Sequence, residues 1–246
     1  MHPLDNPIWG ALSTNQSHFA ERFGSVLRFP PEVTPLGGFA EPDENAFESL
    51  REMLAPGGAV GLFLPARTEA PAGLEIMLEG PLLQMILGED AHLPVPPRSH
   101  EFIELTPADV PEMVALATLT KPGPFATRTR EMGAYLGIRS GGKLVAMAGE
   151  RLKLPGFTEI SAVCTHPDHL GHGYAGFLMT LVASRIRARG ELPFLDVRPE
   201  NARAVQIYER LGFTRRHLYH YAVFRAAMHD RPAGNREGIQ AADERR

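Results

Sequence analysis

Cysteine is nearly absent. Cys164 is the sole one in 246 residues, which excludes an intramolecular disulfide and fits a reducing compartment. Long apolar runs are missing as well, none approaching the ~18 residues of a membrane span. The opening MHPLDNPIWGAL has no basic segment followed by an apolar one, so no signal peptide is read there. The expectation is a cytoplasmic protein without membrane contact. A large charge imbalance is also lacking: the net charge is −4, and nothing global points to nucleic acid. Lysine disappears from Leu170 to Arg225, yet that stretch carries nine Arg against four acids. Such a local excess suits solvated helix faces or a surface near a phosphorylated ligand. Trp9 is the single tryptophan and reads as a core anchor.

What is present is ordinary globular composition, 43% hydrophobic and 22% charged. Three prolines within Pro94–Val95–Pro96–Pro97 cannot continue a helix or a central strand. They divide the chain into an N-terminal α/β domain of unassigned role (1–93), a linker (94–99) and a second domain (100–226). The polar remainder (227–246) reads as a flexible tail. In the first part, Asp5 or Asn6 caps a helix that has Pro7 early in it. Helices are expected at Glu44–Leu54 and Pro81–Leu87, and strands at Ala59–Leu64 and Leu74–Glu79. In the second part the pattern predicts a strand at Phe102–Thr106, a helix capped by Thr106 or Asp109, and a short helix at Thr127–Met132. A hairpin turning at Gly141–Gly142 follows, then strand Thr158–Thr165, helix Tyr174–Ala188, strand Leu192–Val197, helix Asn201–Leu211 and strand Arg216–Phe224. Meandering strands followed by two strand–helix units make a mixed α/β or α+β domain.

Between strand Thr158–Thr165 and its helix lies HLGHGYAG, in which Gly171, Gly173 and Gly176 spell G-x-G-x-x-G. Asp196 follows twenty residues later, as in a dinucleotide site. The context opposes NAD. A dinucleotide loop leaves its strand at once, but here Thr165–Leu170 intervenes and contains Pro167. No Gly-Lys-Ser or Gly-Lys-Thr follows, which excludes a nucleotide P-loop. What remains is a glycine-rich turn that delivers a helix N-terminus, whose free amides and dipole favour an anion.

These residues resemble a known family. VCTHPDHLGHGYAGFLM is similar to motif A of the GNAT N-acetyltransferase superfamily, Gln/Arg-x-x-Gly-x-Gly/Ala. LDVRPENARAVQIYERLGF is similar to its motif B, with Asn201, Tyr208 and a closing Leu-Gly-Phe. The resemblance covers about residues 100–226, and the two-part layout is similar to the glycine N-acyltransferase-like branch, with 1–93 as a degenerate half. It implies a GNAT fold: a mixed, mostly antiparallel central sheet flanked by helices. It also implies acetyl-CoA as co-substrate, bound without a metal. Gly171, His172, Gly173, Tyr174, Ala175 and Gly176 would face the pyrophosphate. Val163, Cys164 and Thr165 would pair with the pantetheine arm through main-chain groups. Asn201 would contact the same arm, and Tyr208 would protonate the departing thiolate. One departure stands out: Leu170 occupies the Gln/Arg position of motif A, with His169, His172 and nearby arginines available to compensate.

The implied reaction moves the acetyl group directly to the primary amine of a small molecule or amino acid, with no nucleic-acid partner. A protein or peptide acetyltransferase is the alternative, and a non-catalytic CoA-binding sensor the reading outside catalysis. An alkylammonium with a pKa near ~10.4 needs a base at neutral pH. Glu159 is ranked first for that role, Asp196 second and Glu150 third. Cys164, on a buried strand, reads as inert. His166, His169 and His172 recur every three residues, but Pro167 interrupts them and no second cluster completes a zinc set, so no metal is expected.

Overall fold

Local chemistry sets the helices of this computed structural model, which describes residues 2–95 and 100–227. Helix α1 (Pro7–Ser13) starts with Pro7 at its first position after Asn6. Strands β1 (Glu21–Phe23), β2 (Val26–Arg28) and β3 (Gly37–Phe39) follow. Helix α2 (Glu44–Met53) is capped by Asp43, whose Oδ1 accepts from the Ala46 amide at 2.8 Å. Then come β4 (Ala59–Leu64), β5 (Leu74–Leu87) and β6 (Ile103–Glu104). Thr106 and Asp109 cap one another reciprocally ahead of α3 (Val110–Thr120). The hairpin of β7 (Tyr135–Ser140) and β8 (Lys143–Leu154) turns on Gly141 and Gly142, both at positive φ. Strand β9 (Phe157–Thr165), helix α4 (Tyr174–Ala188), strand β10 (Leu192–Val197), helix α5 (Ala202–Arg210) and strand β11 (Phe213–Ala226) complete the order.

Eight strands form one sheet in the order β4-β11-β5-β10-β9-β8-β7-β6, and β1-β2-β3 form a small second sheet. Every neighbouring pair in the large sheet is antiparallel except β9 with β10. Segment 81–87 corrects an expectation: it continues strand β5 and is not a helix. Its apolar run is buried between two neighbours, β10 and β11, so it shows no alternation by which to recognise a strand. Because β4 and β5 belong to the same sheet as the C-terminal strands, the boundary expected at 94–99 separates stretches of chain and not sheets. Residues 96–99 of that linker and 228–246 of the tail lie outside the described residues.

Helices α4 and α5 cover one face over a core that includes Leu178, Val182, Leu195, Val197, Val205 and Phe213. On the opposite face α1 packs Ile8, Ala11 and Leu12 against Leu152, Leu154 and Phe194, with Trp9 at the margin. Helix α3 packs over Met147, Ala162 and Cys164. Among the described residues no helix is long and apolar enough to cross a membrane.

Candidate active site

The site begins where β9 and β10 part. They pair in parallel only from Leu192–Phe157 to Phe194–Glu159, and beyond Glu159 they diverge. Strand β9 also carries a bulge: its pairing with β8 slips between Ser161 and Cys164, and Ala162 sits at φ 53. The bulge changes which side chains share a face. Ile160 and Val163 point to the α4 side, whereas Ala162 and Cys164 point to the α3 side. A cavity of about 620 Å³ fills the opening and is lined by Ile160–Thr165, Leu195–Arg198, Asn201, Ala204 and Tyr208. A second cavity of about 350 Å³ continues it past Thr165, Leu170 and Ala175 to the glycine loop.

The loop is built to leave amides unpaired. Gly171 and Gly173 adopt φ 86 and 77, and Gly173 caps α4 without a side-chain hydrogen bond. The first amide of that helix to find an acceptor is Phe177, bonded to the Gly173 carbonyl at 3.0 Å. The amides of Tyr174, Ala175 and Gly176 come before it and have no acceptor among the described residues. Added Cβ atoms at Gly171, Gly173 or Gly176 would meet nothing within 4 Å, so the space around the loop is open. His172 stacks on Tyr174 with centroids 5.3 Å apart, and His166 accepts from the Asp168 amide at 3.2 Å. Leu170 is exposed and offers no charge. Across the smaller cavity stand Arg203 and Arg210 of α5, neither in an ion pair among the described residues. The geometry suits a diphosphate: free amides on one wall and two guanidinium groups on the other.

Tyr208 and Asn201 both reach the larger cavity from α5. The Asn201 Oδ1 accepts from the Ala204 amide at 3.2 Å, so this side chain also caps the helix. Burial pushes the Tyr208 hydroxyl up to about 12, which keeps its proton in place at neutral pH. Cys164 is buried toward α3, and burial pushes its thiol up to about 11. At neutral pH it is a thiol and not a nucleophile.

The carboxylates separate by environment. Glu159 is 1% exposed, and both of its oxygens are engaged. Arg151 grips it with Nε at 2.9 Å and Nη2 at 2.6 Å, and the Leu152 amide adds a third hydrogen bond at 3.2 Å. A side chain so engaged is placed as a partner of Arg151, which speaks against the first rank it has as a base. Glu150 is buried too and bound by Lys153 at 2.8 Å and Arg189 at 2.9 Å. Burial raises its pKa, but these cations outweigh that effect and the net direction is down.

Asp196 is different. Leu195 and Val197 face α4, so strand alternation turns Asp196 to the side of Phe194 and the N-terminal segment. Both of its oxygens are shut from bulk solvent and have no hydrogen-bond partner among the described residues. Burial, then the charge of Glu159, raise its pKa well above the ordinary carboxylate range, while Arg151, the Gln84 amide beside it and Arg216 act in the opposite sense, with Gln84 falling short of hydrogen-bond geometry. An unpartnered carboxylate at the edge of an opening is a proton acceptor in waiting. Tyr208 lies on the α5 side of the sheet and Asp196 on the other, with the opening between them.

Sequence reasoning passes over several lining residues. Leu36, Phe63, Leu78 and Leu82 come from the N-terminal segment, and Arg151, Arg198 and Tyr221 from the second. They meet only through pairings such as β5 with β11, so no local motif marks them. Among the described residues no group of three or more His, Cys, Asp or Glu is placed to hold a metal ion.

Comparison with known proteins gives concordant results. Residues 135–222 match the FR47-like protein family. Over 101 residues, 38% of this chain, the sequence is 36% identical to N-alpha-acetyltransferase RimI of Mycobacterium tuberculosis (strain ATCC 25618 / H37Rv). That match spans 63% of the relative, just under two thirds of its length. A GNAT-family acetyltransferase crystal structure from Novosphingobium aromaticivorans DSM 12444 superposes with a TM-score of 0.85 at 36% identity, over 92% of this chain and all of that one. A GCN5-related N-acetyltransferase from Kribbella flavida shares the fold, with a TM-score of 0.56 at 22% identity over 82% of this chain and 88% of that one.

Proposed function

The chain belongs to the GNAT acetyltransferase family, and from that premise we propose that it transfers the acetyl group of acetyl-CoA directly to the primary amine of a small molecule or amino acid. The observation that carries this reading is the placement of Asp196, a buried carboxylate with no hydrogen-bond partner among the described residues, across the β9–β10 opening from Tyr208. The glycine loop and the two arginines hold the diphosphate. The freed edge of β9 at Val163, Cys164 and Thr165 pairs with the pantetheine amides, as an added strand would. Asp196 takes a proton from the ammonium, directly or through one water. The neutral amine attacks the thioester carbonyl, and a C–N bond forms. A main-chain amide at the bulge, that of Val163, holds the oxyanion. The C–S bond breaks as Tyr208 gives its proton to the thiolate, and the surplus proton on the new amide nitrogen passes through water to the Tyr208 phenolate. The 36% identity to RimI favours a second acceptor, the α-amine of a polypeptide.

Amine-dependent thiol release from acetyl-CoA, measured over panels of amines, amino acids and short peptides, tests the activity. Release with amines or amino acids is expected; acetylation confined to peptides would establish the second acceptor instead. A separate expectation concerns Leu170. With Arg203 and Arg210 supplying the cation it lacks, Arg203→Gln/Arg210→Gln should weaken acetyl-CoA binding about tenfold at low salt and less at high salt. Adding Leu170→Arg to that variant should restore much of the affinity. Calorimetric titration at two ionic strengths checks both; unchanged affinity in the double variant would remove the arginines from the cofactor site.

A further inference from the structure

Among the described residues Arg198 is a cation with no anion of its own. It follows the end of β10, two residues beyond Asp196 and on the same side of the sheet, and it lines the larger cavity. Its guanidinium lies over the ring of Tyr221, 5.2 Å from the centroid. Its Nη1 lies only 2.6 Å from where a Cβ on Gly80 would stand, so the glycine leaves it that place. Among the described residues it makes no side-chain hydrogen bond and no ion pair, unlike its cationic neighbours. Arg151 is held by Glu159 at 2.6 Å, and Arg216 by Asp5 and Gln84. A guanidinium held in place by packing, with its donors unused at a cavity wall, is arranged to receive a planar anion.

We propose that Arg198 binds a carboxylate on the acceptor, and that the acceptor is a free amino acid with an apolar side chain. The proposal rests on the reading of the β9–β10 opening as an acetyl-transfer site and names the substrate of that site. Asp196 and Arg198 line the same cavity, so an amine can meet Asp196 through one water while the carboxylate of the same molecule meets the guanidinium. Phe63, Leu78, Leu82 and the Tyr221 ring supply an apolar wall for the side chain. A polypeptide terminus has an uncharged amide where the amino acid has its carboxylate, so Arg198 also discriminates against it.

The test measures kcat/KM by thiol release for leucine, methionine and phenylalanine, for their amides, and for the corresponding amines without the carboxyl group. Wild type is expected to favour at least one free amino acid over its amide by roughly tenfold to a hundredfold, the scale of a hydrogen bond to a charged group. Arg198→Gln should remove that preference, and Arg198→Lys, which keeps the charge without the fork, should keep part of it. Acetyl-CoA affinity and thermal melting of both variants report on the fold. Equal turnover of acids and amides by wild type overturns the proposal, as does acetylation of peptides only or a preference that survives in Arg198→Gln. Those results leave acetyl transfer standing. A wild type that binds acetyl-CoA and acetylates no amine, amino acid or peptide overturns the activity and this proposal with it.

Discussion

Asp196→Asn is expected to lower kcat by about 10²- to 10⁴-fold, the range for loss of a positioned general base, while acetyl-CoA still binds. The side chain keeps its size and loses only its ability to accept the proton. In wild type, kcat/KM should rise with pH through the raised pKa of Asp196, because the base works only when ionised. That limb should lie well above the pH at which an exposed aspartate would titrate, and it should vanish in the variant. Stability should move the other way. A carboxyl whose pKa is higher folded than unfolded favours the fold at low pH, where it is protonated, and that contribution is lost as the pH rises through the folded value. As the pH rises wild type must either ionise this unpartnered carboxylate or hold a proton on it, a cost that the asparagine variant lacks. Asp196→Asn should melt at a higher temperature than wild type at pH 8, and the gap should close toward pH 4. A variant that is inactive yet more stable separates a catalytic loss from a folding defect, and the combination is typical of a site kept at the expense of stability. Retention of full kcat would take the base role from Asp196.

The elements that define the site are legible in the sequence where their signals are local. Helix α4 and strand β10 have the boundaries expected from their glycine and proline punctuation. The loop at Gly171–Gly176 is legible for the same reason, since positive φ and free amides are properties of a few consecutive residues. Segment 81–87 is not, because a strand buried between two neighbours loses the alternation that would reveal it. Its insertion between β10 and β11 is a pairing across more than a hundred residues and leaves no local trace. The ranking of the carboxylates depends on the same kind of information. Glu159 and Asp196 both lie on apolar strands and look alike in one dimension. What separates them is Arg151, eight residues before Glu159 on the neighbouring strand, which binds one and leaves the other unpartnered. Residue spacing indicates that carboxylates are present near the opening, and only the fold tells which one still has a free lone pair.

Arg151→Met should be the most damaging single change to the fold at this site. Arg151 is 6% exposed and Glu159 1%, and the guanidinium meets the carboxylate through two hydrogen bonds. Removing one partner of a buried pair costs about 3–5 kcal/mol, because the remaining charge has neither water nor a counter-ion. Against a total stability of roughly 5–15 kcal/mol, that is a large share. Here the cost is compounded, since Arg151 is also the cation that moderates the charge of Asp196. Without it Asp196 faces the charge of Glu159 unmoderated and takes up a proton more readily when folded than when unfolded. The defect should therefore be largest at pH 8 and shrink as the pH falls, a difference readable in urea midpoints at pH 8 and 5.5. Arg151→Met/Glu159→Leu should recover most of the loss, as exchange of a buried ion pair for apolar groups of similar volume often does. In that double variant the charge of Glu159 no longer raises the pKa of Asp196, and neither does Arg151 lower it. Glu159 ranks ahead of Arg151 among the charges acting on Asp196, so the net change is downward. The acid limb of kcat/KM should then move to lower pH while turnover persists. If the double variant instead loses turnover as completely as Asp196→Asn, Glu159 takes part in the chemistry directly, and the ion pair is more than a support for its neighbour.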